Sequence, residues 1–398
     1  MFGFEPFRFP FLDVQAVLSA AQCQREGIDV YRWNPCDALG RVHVYSPFWF
    51  VVIPRFLGTQ QTTLVGLALD LAAILSLVGV LRPQTAREMI VFGLVVLSPV
   101  TVYALERANS DVFAFLLVLA GCMLDRAPSR WRLGCYAFYL LVGLLRYYPL
   151  VLLVLLARES KHIACGGAAI ATAIMLVLAG IGRTDLVKAL ANIPALSYYA
   201  DSFSALNLPF GLSEMLAKFG AGRMLGLVLL SLLAAAGIAR TIRTLPLLHS
   251  VSFDWNDREA QCMLVGALLL TACFVAGQNV VYRAIYILFV IPGLLRMRFL
   301  AEDRAVRLFL GRMIATILFL AWSEVFRRIL NAALVNVPID ALRLRLELLF
   351  WLGRELAWWW LIAGLVAIIV CYLRQLPLVT HATAVVWHIF WRDDKQSR

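Results

Sequence analysis

Long apolar runs separated by short polar breaks fill residues 62–373 and constrain the chain more than any other feature. A helix that crosses a bilayer needs about 20 apolar residues, with a usable range of roughly 17–25. Within lipid every backbone polar group must be satisfied by the protein itself, so such runs fold as helices or as closed barrels. Apolar residues make up 62% of the chain and charged ones 15%, with a mean hydropathy of +0.80. Soluble domains are about half apolar and about a quarter charged. The excess exceeds what a larger core would need and makes lipid the solvent for most of the surface. The 398 residues are therefore read as one all-α polytopic membrane protein rather than two or three soluble domains.

Candidate spans lie near 62–81, 89–105, 112–124, 133–145, 149–157, 164–182, 224–240, 260–277, 284–296, 307–323 and 350–373, about 11 in all. The block 133–157 is interrupted at Arg146-Tyr147-Tyr148-Pro149, where proline removes a helix donor; two short helices or one kinked helix satisfy the pattern. The domain reading is a first extracytoplasmic loop over 1–61, a transmembrane bundle over 62–373 with a further extracytoplasmic loop at 183–223, and a cytoplasmic or interfacial tail over 374–398. Within the first loop, Asp13 to Gln24 reads as an amphipathic helix with Val14, Val17, Leu18 and Ala21 on one face. The loop 183–223 is too long for a simple connector and is expected to pack over another part of the protein. The tail segment VVWHIFWRDDK reads as an interfacial helix.

Short basic loops set the orientation. RPQTARE (82–88), DRAPSRWR (125–132), RESKH (158–162) and RMRFLAEDRAVR (296–307) are placed in the cytoplasm. Residues 1–61, 106–111, 146–148, 183–223, 278–283 and 324–348 then share the opposite side of the plasma (inner) membrane. The opening MFGFEPFRFPFLDVQ has no basic segment followed by an apolar run, so either a further helix is expected to precede this chain, the favoured reading, or the first span inserts unaided. The net charge of +11 is scattered between apolar runs rather than gathered in a stripe, which argues against nucleic acid. The eight cysteines show no metal-ligand spacing; Cys23 and Cys36 share one polar loop, where a disulfide is one option, open only if that loop faces an oxidising compartment. None of the five histidines carries an assigned role.

The polar ends on the non-cytoplasmic side share a composition. LERANSDVF carries Glu106, Arg107, Asn109 and Asp111; LLRYYP carries Arg146, Tyr147 and Tyr148; GQNVVYRAIY carries Asn279, Tyr282 and Arg283. The first loop adds Asp13, Asp29, Asp37 and Tyr45. If 106–111 is helical, Glu106 with Asn109 and Arg107 with Asp111 fall at supporting spacings. Arginine presents a planar fork suited to phosphate, tyrosine a flat face and a hydroxyl, and a carboxylate an acceptor or base for a hydroxyl. A lipid-linked phosphosugar requires that combination beside an apolar groove. Broken helices with intramembrane charge also suit a membrane transporter or lipid-carrier flippase, which is the alternative. A subunit that only scaffolds envelope enzymes is a third reading.

The run DVQAVLSAAQCQREGIDVY, then NPCDALGRVHVYSP, LERANSDVF, RYYPL and NVVYR resembles the pattern of glycosyltransferase family 87, in the type C superfamily of polyprenyl-phosphate-sugar-dependent transferases. The resemblance covers most of residues 10–300 and is diffuse between motifs. It implies a GT-C-like transmembrane helix bundle with a long structured first extracytoplasmic loop. The activity it implies is inverting, metal-independent transfer of a sugar from a polyprenyl-phosphate donor to a cell-envelope glycan or glycolipid acceptor, with no cofactor beyond the donor and with membrane lipid as a partner. Carried over, Asp13 matches the superfamily's catalytic base, with Asp29 and Asp37 as reserves. Arg107, Arg146 and Arg283 are phosphate candidates. Tyr45, Tyr148, Tyr282, Asn279, Glu106, Asn109 and Asp111 complete the substrate-binding set. Asp13 also suits a helix N-cap. Arg146 stands where the family has Lys, and Ala108 where a close subset, reading ERGNND, has Gly.

Overall fold

Satisfying backbone hydrogen bonds inside lipid leaves helix as the main option, and the chain is helical through most of its length. The computed structural model describes residues 10–80, 83, 85–125, 132–199, 202–216, 222–249, 251, 253–334 and 340–376. The expected interfacial helix in the tail and most of the 125–132 loop lie outside the described residues. The elements in chain order are α1 (Leu12–Arg25), α2 (Trp49–Val52), α3 (Thr62–Val80), α4 (Ala86–Val96), α5 (Pro99–Glu106), α6 (Ser110–Leu124) and α7 (Gly134–Arg146). A 3-10 helix follows at Tyr148–Arg158, then α8 (Lys161–Ile181), α9 (Arg183–Ala191), β1 (Ser202–Phe203), α10 (Asn207–Leu216), α11 (Gly222–His249) and α12 (Arg258–Ala276). Then come β2 (Asn279–Val280), a 3-10 turn at Val281–Tyr286, α13 (Ile287–Leu300), α14 (Arg304–Leu334) and α15 (Asp340–Leu373).

Among the described residues, six helices are long and apolar enough to cross a membrane, or seven if α4 and α5, bent by 49°, count as one span. Other stretches among the expected 11 or so spans form shorter apolar elements. The apolar stretches near 112–124, 133–145, 149–157 and 284–296 fold as elements of 15, 13, 11 and 14 residues, shorter than a bilayer requires. The breaks have identifiable causes. Pro99 opens α5 and cannot continue the hydrogen-bond ladder of α4. Tyr147, at φ 62°, ends α7 and starts the Pro149-containing 3-10 helix, which resolves the 133–157 block into two pieces.

The core forms around α12, α13 and α15. Gly266 on α12 and Gly293 on α13 let the two backbones close together: a Cβ on Gly293 would lie 2.6 Å from the Glu259 carbonyl oxygen. Phe289 of α13 stacks on Phe115 of α6, with ring centroids 4.4 Å apart. The outer helices carry the lipid-facing surface. In α8 only 6% of the apolar window is buried inside the protein, against 67% in α12.

The loops assigned to one side do gather at one end of the bundle. In the first loop α1 is buried on most of its circumference, including Asp13, Gln15 and Ser19, so the expected two-faced helix is instead an internal one. A Cys23–Cys36 disulfide closes the segment after it. A closed loop of that size contributes roughly 3 kcal/mol in the chain-entropy account. The Trp49 indole N–H donates to the Leu145 carbonyl at the C-terminal end of α7 (3.2 Å). The 183–223 segment packs as expected of a structured loop. Lys188 pairs with Asp29 (2.8 Å), Asn192 donates to the Tyr31 carbonyl (2.7 Å), and β1 pairs antiparallel with β2, setting Phe203 opposite Asn279. At the other end, Arg158 pairs with Asp125 and Arg132 with Glu159 (2.6 Å), tying α6, α7 and the 3-10 helix together.

Candidate active site

The turn between α5 and α6 organises the site. α5 stops at Glu106, Ala108 takes φ 40°, and Asn109 caps α6 by accepting from the Asp111 backbone N–H (2.8 Å). A positive φ suits glycine better than a residue with a Cβ, which gives the Gly of the resembling motif a physical reason. The carbonyls freed by the break are used at once. Phe11 N–H donates to the Glu106 carbonyl and Asp13 N–H to the Arg107 carbonyl, both at 3.1 Å. The first turn of α1 is thereby clamped onto the turn, which satisfies donors that a helix start leaves orphaned.

That clamp delivers the Asp13 carboxylate to Arg107 and Asn109. Arg107 Nε donates to Oδ2 (2.9 Å) and Nη2 to Oδ1 (2.7 Å), a bidentate pair spanning 94 residues of sequence. Asn109 Nδ2 donates to Oδ2 at 2.5 Å. Asp13 is only 3% exposed. A carboxylate offers about four lone-pair positions. Three are taken, and the nearest further cation on Oδ1, Arg41 Nη1, stands at 3.6 Å, beyond hydrogen-bond reach. Oδ1 therefore keeps a lone pair for a hydroxyl.

A second cluster lies one turn further along the chain. Asp111 is fully buried and receives Arg146 in bidentate fashion, Nε to Oδ1 at 2.9 Å and Nη2 to Oδ2 at 2.5 Å. Tyr148 O–H donates to Oδ1 (2.6 Å), and Arg283 Nε stands 3.4 Å from Oδ2. Arg283 also donates to Asn279, whose Nδ2 is held by the Cys273 and Gly277 carbonyls. The two clusters are joined by Asn109, which touches Asp13 with its amide and the Asp111 backbone with its oxygen. Aromatics complete the joint. Arg146 lies over the Tyr45 ring (5.0 Å to the centroid), Arg107 over Tyr103 (5.4 Å), and Tyr282 packs edge-on against Tyr103 (5.5 Å). Burial raises the Tyr45 hydroxyl pKa; Asp13 raises it further while Arg146 and Arg283 oppose, so Tyr45 lies within electrostatic reach of both clusters.

Eight of the sequence-selected residues thus converge directly: Asp13, Arg107, Asn109, Asp111, Arg146, Tyr148, Arg283 and Asn279, with Tyr45 and Tyr282 against them. The expected Arg107–Asp111 helical pair does not form, because the helix breaks between them and Arg107 turns to Asp13. Glu106 contributes its backbone carbonyl to the clamp, and its carboxylate joins neither cluster among the described residues. Asp37 sits in its own turn, accepting from the Leu39 and Arg41 N–H groups and from the Arg41 guanidinium. Burial would raise its pKa, but the Arg41 bonds outweigh it and hold the carboxyl below its ordinary value. Asp29 lies apart, 38% exposed, its pKa lowered by Lys188. Three further members join the network: Arg41 and Tyr286, which belong to the same polar ends but had no expected role, and Tyr103. Tyr103 lies one helical turn before Arg107; the Tyr286 hydroxyl is 2.6 Å from that of Tyr148; and Arg41 bridges Asp37 toward Asp13. The composition of GQNVVYRAIY held a signal for Tyr286. Tyr103 sits in an apolar run that gave none.

Within the network four arginines (41, 107, 146 and 283) face three carboxylates (13, 37 and 111), which leaves one surplus positive charge. Arg283 is the natural carrier of the surplus. Its side chain is 26% exposed against 3% for Arg146, and its Nε makes no hydrogen bond among the described residues.

His43 supplies a pH-sensitive element beside the site. It is 2% exposed and enclosed by Tyr31, Tyr45 and Phe50, with ring centroids 5.4, 5.6 and 4.8 Å away. Burial lowers its pKa from 6.5 to about 4, against a smaller opposing contribution from the Ser46 backbone. The unfolded loop binds the proton first, so the loop's stability is full above pH 6.5 and declines as pH falls from 6.5 toward 4. The loss reaches about 3 kcal/mol at the lower limit. The protection factor of the His43 amide, which donates to the Val30 carbonyl, should fall over that window once the intrinsic pH dependence of exchange is divided out, and His43→Phe should remove that fall.

No family model matches the chain, and no curated protein or solved structure is significantly similar to it.

Proposed function

We propose that the protein is an integral membrane glycosyltransferase that moves a sugar from a polyprenyl-phosphate donor to a cell-envelope glycan or glycolipid acceptor on the extracytoplasmic side. The observation that carries the reading is the joining of Asp13 and Asp111 with Arg107, Arg146 and Arg283 in one buried network with a single excess cation. A phosphodiester-linked sugar brings one negative charge, and the departing lipid phosphate brings a second as its bond to the sugar breaks. An arginine with uncommitted donors answers both.

In this reading Asp13 Oδ1 accepts the proton of the acceptor hydroxyl as that oxygen attacks the anomeric carbon. The carbon–phosphate-oxygen bond breaks, and the leaving phosphate is stabilised by Arg283. Arg107 and Asn109 fix the carboxylate in one orientation. Arg146 is committed to Asp111, so its part is to hold the second cluster in place. Tyr45 and Tyr282 offer hydroxyls and ring faces between the two clusters, where the sugar would lie. Burial makes each of these electrostatic contacts stronger than it would be in water. The Cys23–Cys36 disulfide supports an oxidising, non-cytoplasmic setting for this end.

The test is transfer of labelled sugar from polyprenyl-phosphate donors by the purified protein in lipid nanodiscs. Sugar appearing on an acceptor, with free polyprenyl phosphate released in equal amount, is the expected result. Movement of the intact lipid-linked donor across proteoliposomes without transfer would instead support the transporter.

A further inference from the structure

The membrane-facing surface carries a second arrangement of arginines, remote from the first. α12 runs about 28 Å, at 1.5 Å per residue, from Arg258 to the neighbourhood of Asn279, so the last turns of α11 lie at the opposite end of the bundle from Asp111. α13 likewise leads away from Arg283, which places the first turns of α14 at that same opposite end. Between these turns and α15 lies a cavity of about 660 Å³. It is lined by Arg240, Arg243 and Arg312, with Leu308, Phe309 and Trp360 among its apolar walls.

No carboxylate lines this cavity, and none of the three arginines has an ion pair among the described residues. Arg240 is half-buried and held over Trp360, 4.3 Å from the ring centroid, with a buried Nε that makes no hydrogen bond among the described residues. An arginine that only snorkels extends its head toward water; Arg240 instead lies against an indole inside a groove. The adjoining face of α11 exposes Leu232, Ile238 and Ile242 to lipid, each at about 60%. A phosphate above and hydrocarbon alongside would satisfy both halves of this surface.

We infer that the groove between α11, α14 and α15 binds the phosphate headgroup of an anionic membrane lipid through Arg240, Arg243 and Arg312, with an acyl chain along α11. The site is independent of the proposed transfer reaction. Three clustered cations each favour an anionic lipid, so a preference on the order of tenfold over a zwitterionic one is expected. The protein, released from mixed micelles holding equal phosphatidylglycerol and phosphatidylcholine, is weighed by native mass spectrometry. The unmodified protein should retain phosphatidylglycerol about tenfold over phosphatidylcholine. The variant R240Q/R243Q/R312Q should fall to parity, and R240K/R243K/R312K should retain most of the preference. R87Q/R296Q/R304Q, which removes the same charge from exposed positions at that end, should keep it in full. Equal loss in the two glutamine variants would overturn the site, as would retained preference in the first. Displacement of the lipid by millimolar inorganic phosphate would also overturn it, in favour of a free anion site. Should the triple variant fail to fold, R243Q and R312Q, each at an exposed position, decide the matter singly: an undiminished preference in both contradicts the proposal.

Discussion

Asp13→Asn should abolish nearly all sugar transfer, by roughly 10²–10⁴-fold in kcat, the range lost when a positioned general base is removed. The amide is nearly isosteric, but it cannot take a proton at Oδ1, and it leaves Arg107 facing a neutral group in a buried setting. Part of any loss could then reflect folding, so turnover is compared with thermal stability and with the KM for donor. Loss of kcat with donor KM unchanged locates the fault in the chemical step. Arg107→Gln separates the two causes further. It also breaks the pair but leaves the carboxylate, and should retain more activity than Asp13→Asn. If Asp13→Asn turned over like the unmodified protein, the assignment of the base would be withdrawn.

The second large effect concerns stability. Asp111→Asn removes the only carboxylate among the described residues that faces Arg146, whose side chain is 3% exposed, and strips Arg283 of its nearest anion there. Breaking a buried pair by removing one partner costs about 3–5 kcal/mol, because the remaining charge stays desolvated. Arg146→Gln should cost somewhat less, since Tyr148 and Arg283 continue to serve Asp111. The double variant should lose less than the sum of the single losses, the signature of direct coupling. Thermal unfolding in detergent measures all three. Additive losses would mean that Asp111 and Arg146 do not act on one another as their geometry indicates.

That the polar breaks share one end of the bundle was legible in the sequence, and the partners within the breaks were not. Apolar periodicity and short basic loops placed 106–111, 146–148 and 278–283 together with the first loop, and the fold gathers them at one end. Arg107 was expected to pair with Asp111 because four residues of continuous helix bring such groups together. The helix stops at Glu106 and Ala108 takes a positive φ, and that local break frees Arg107 for a residue 94 positions away. Side-chain pairing across such distances depends on packing that no local pattern encodes. Asp29 and Asp37 stood as reserves for Asp13, yet each answers a basic neighbour of its own, Lys188 or Arg41. Helix length was not legible for a related reason. Hydropathy marks which residues meet lipid or core, but Pro99 and the turn at Tyr147 decide how long each helix runs.

The most direct measurement is a cryo-electron microscopy structure in a nanodisc with a non-transferable polyprenyl-phosphate-sugar analogue. Phosphate density is expected within hydrogen-bond distance of Arg283, with sugar density between Tyr45 and Tyr282 and the Asp13–Arg107 pair intact beside it. Saturating analogue bound elsewhere, with no density at the Asp13–Asp111 network, would contradict it.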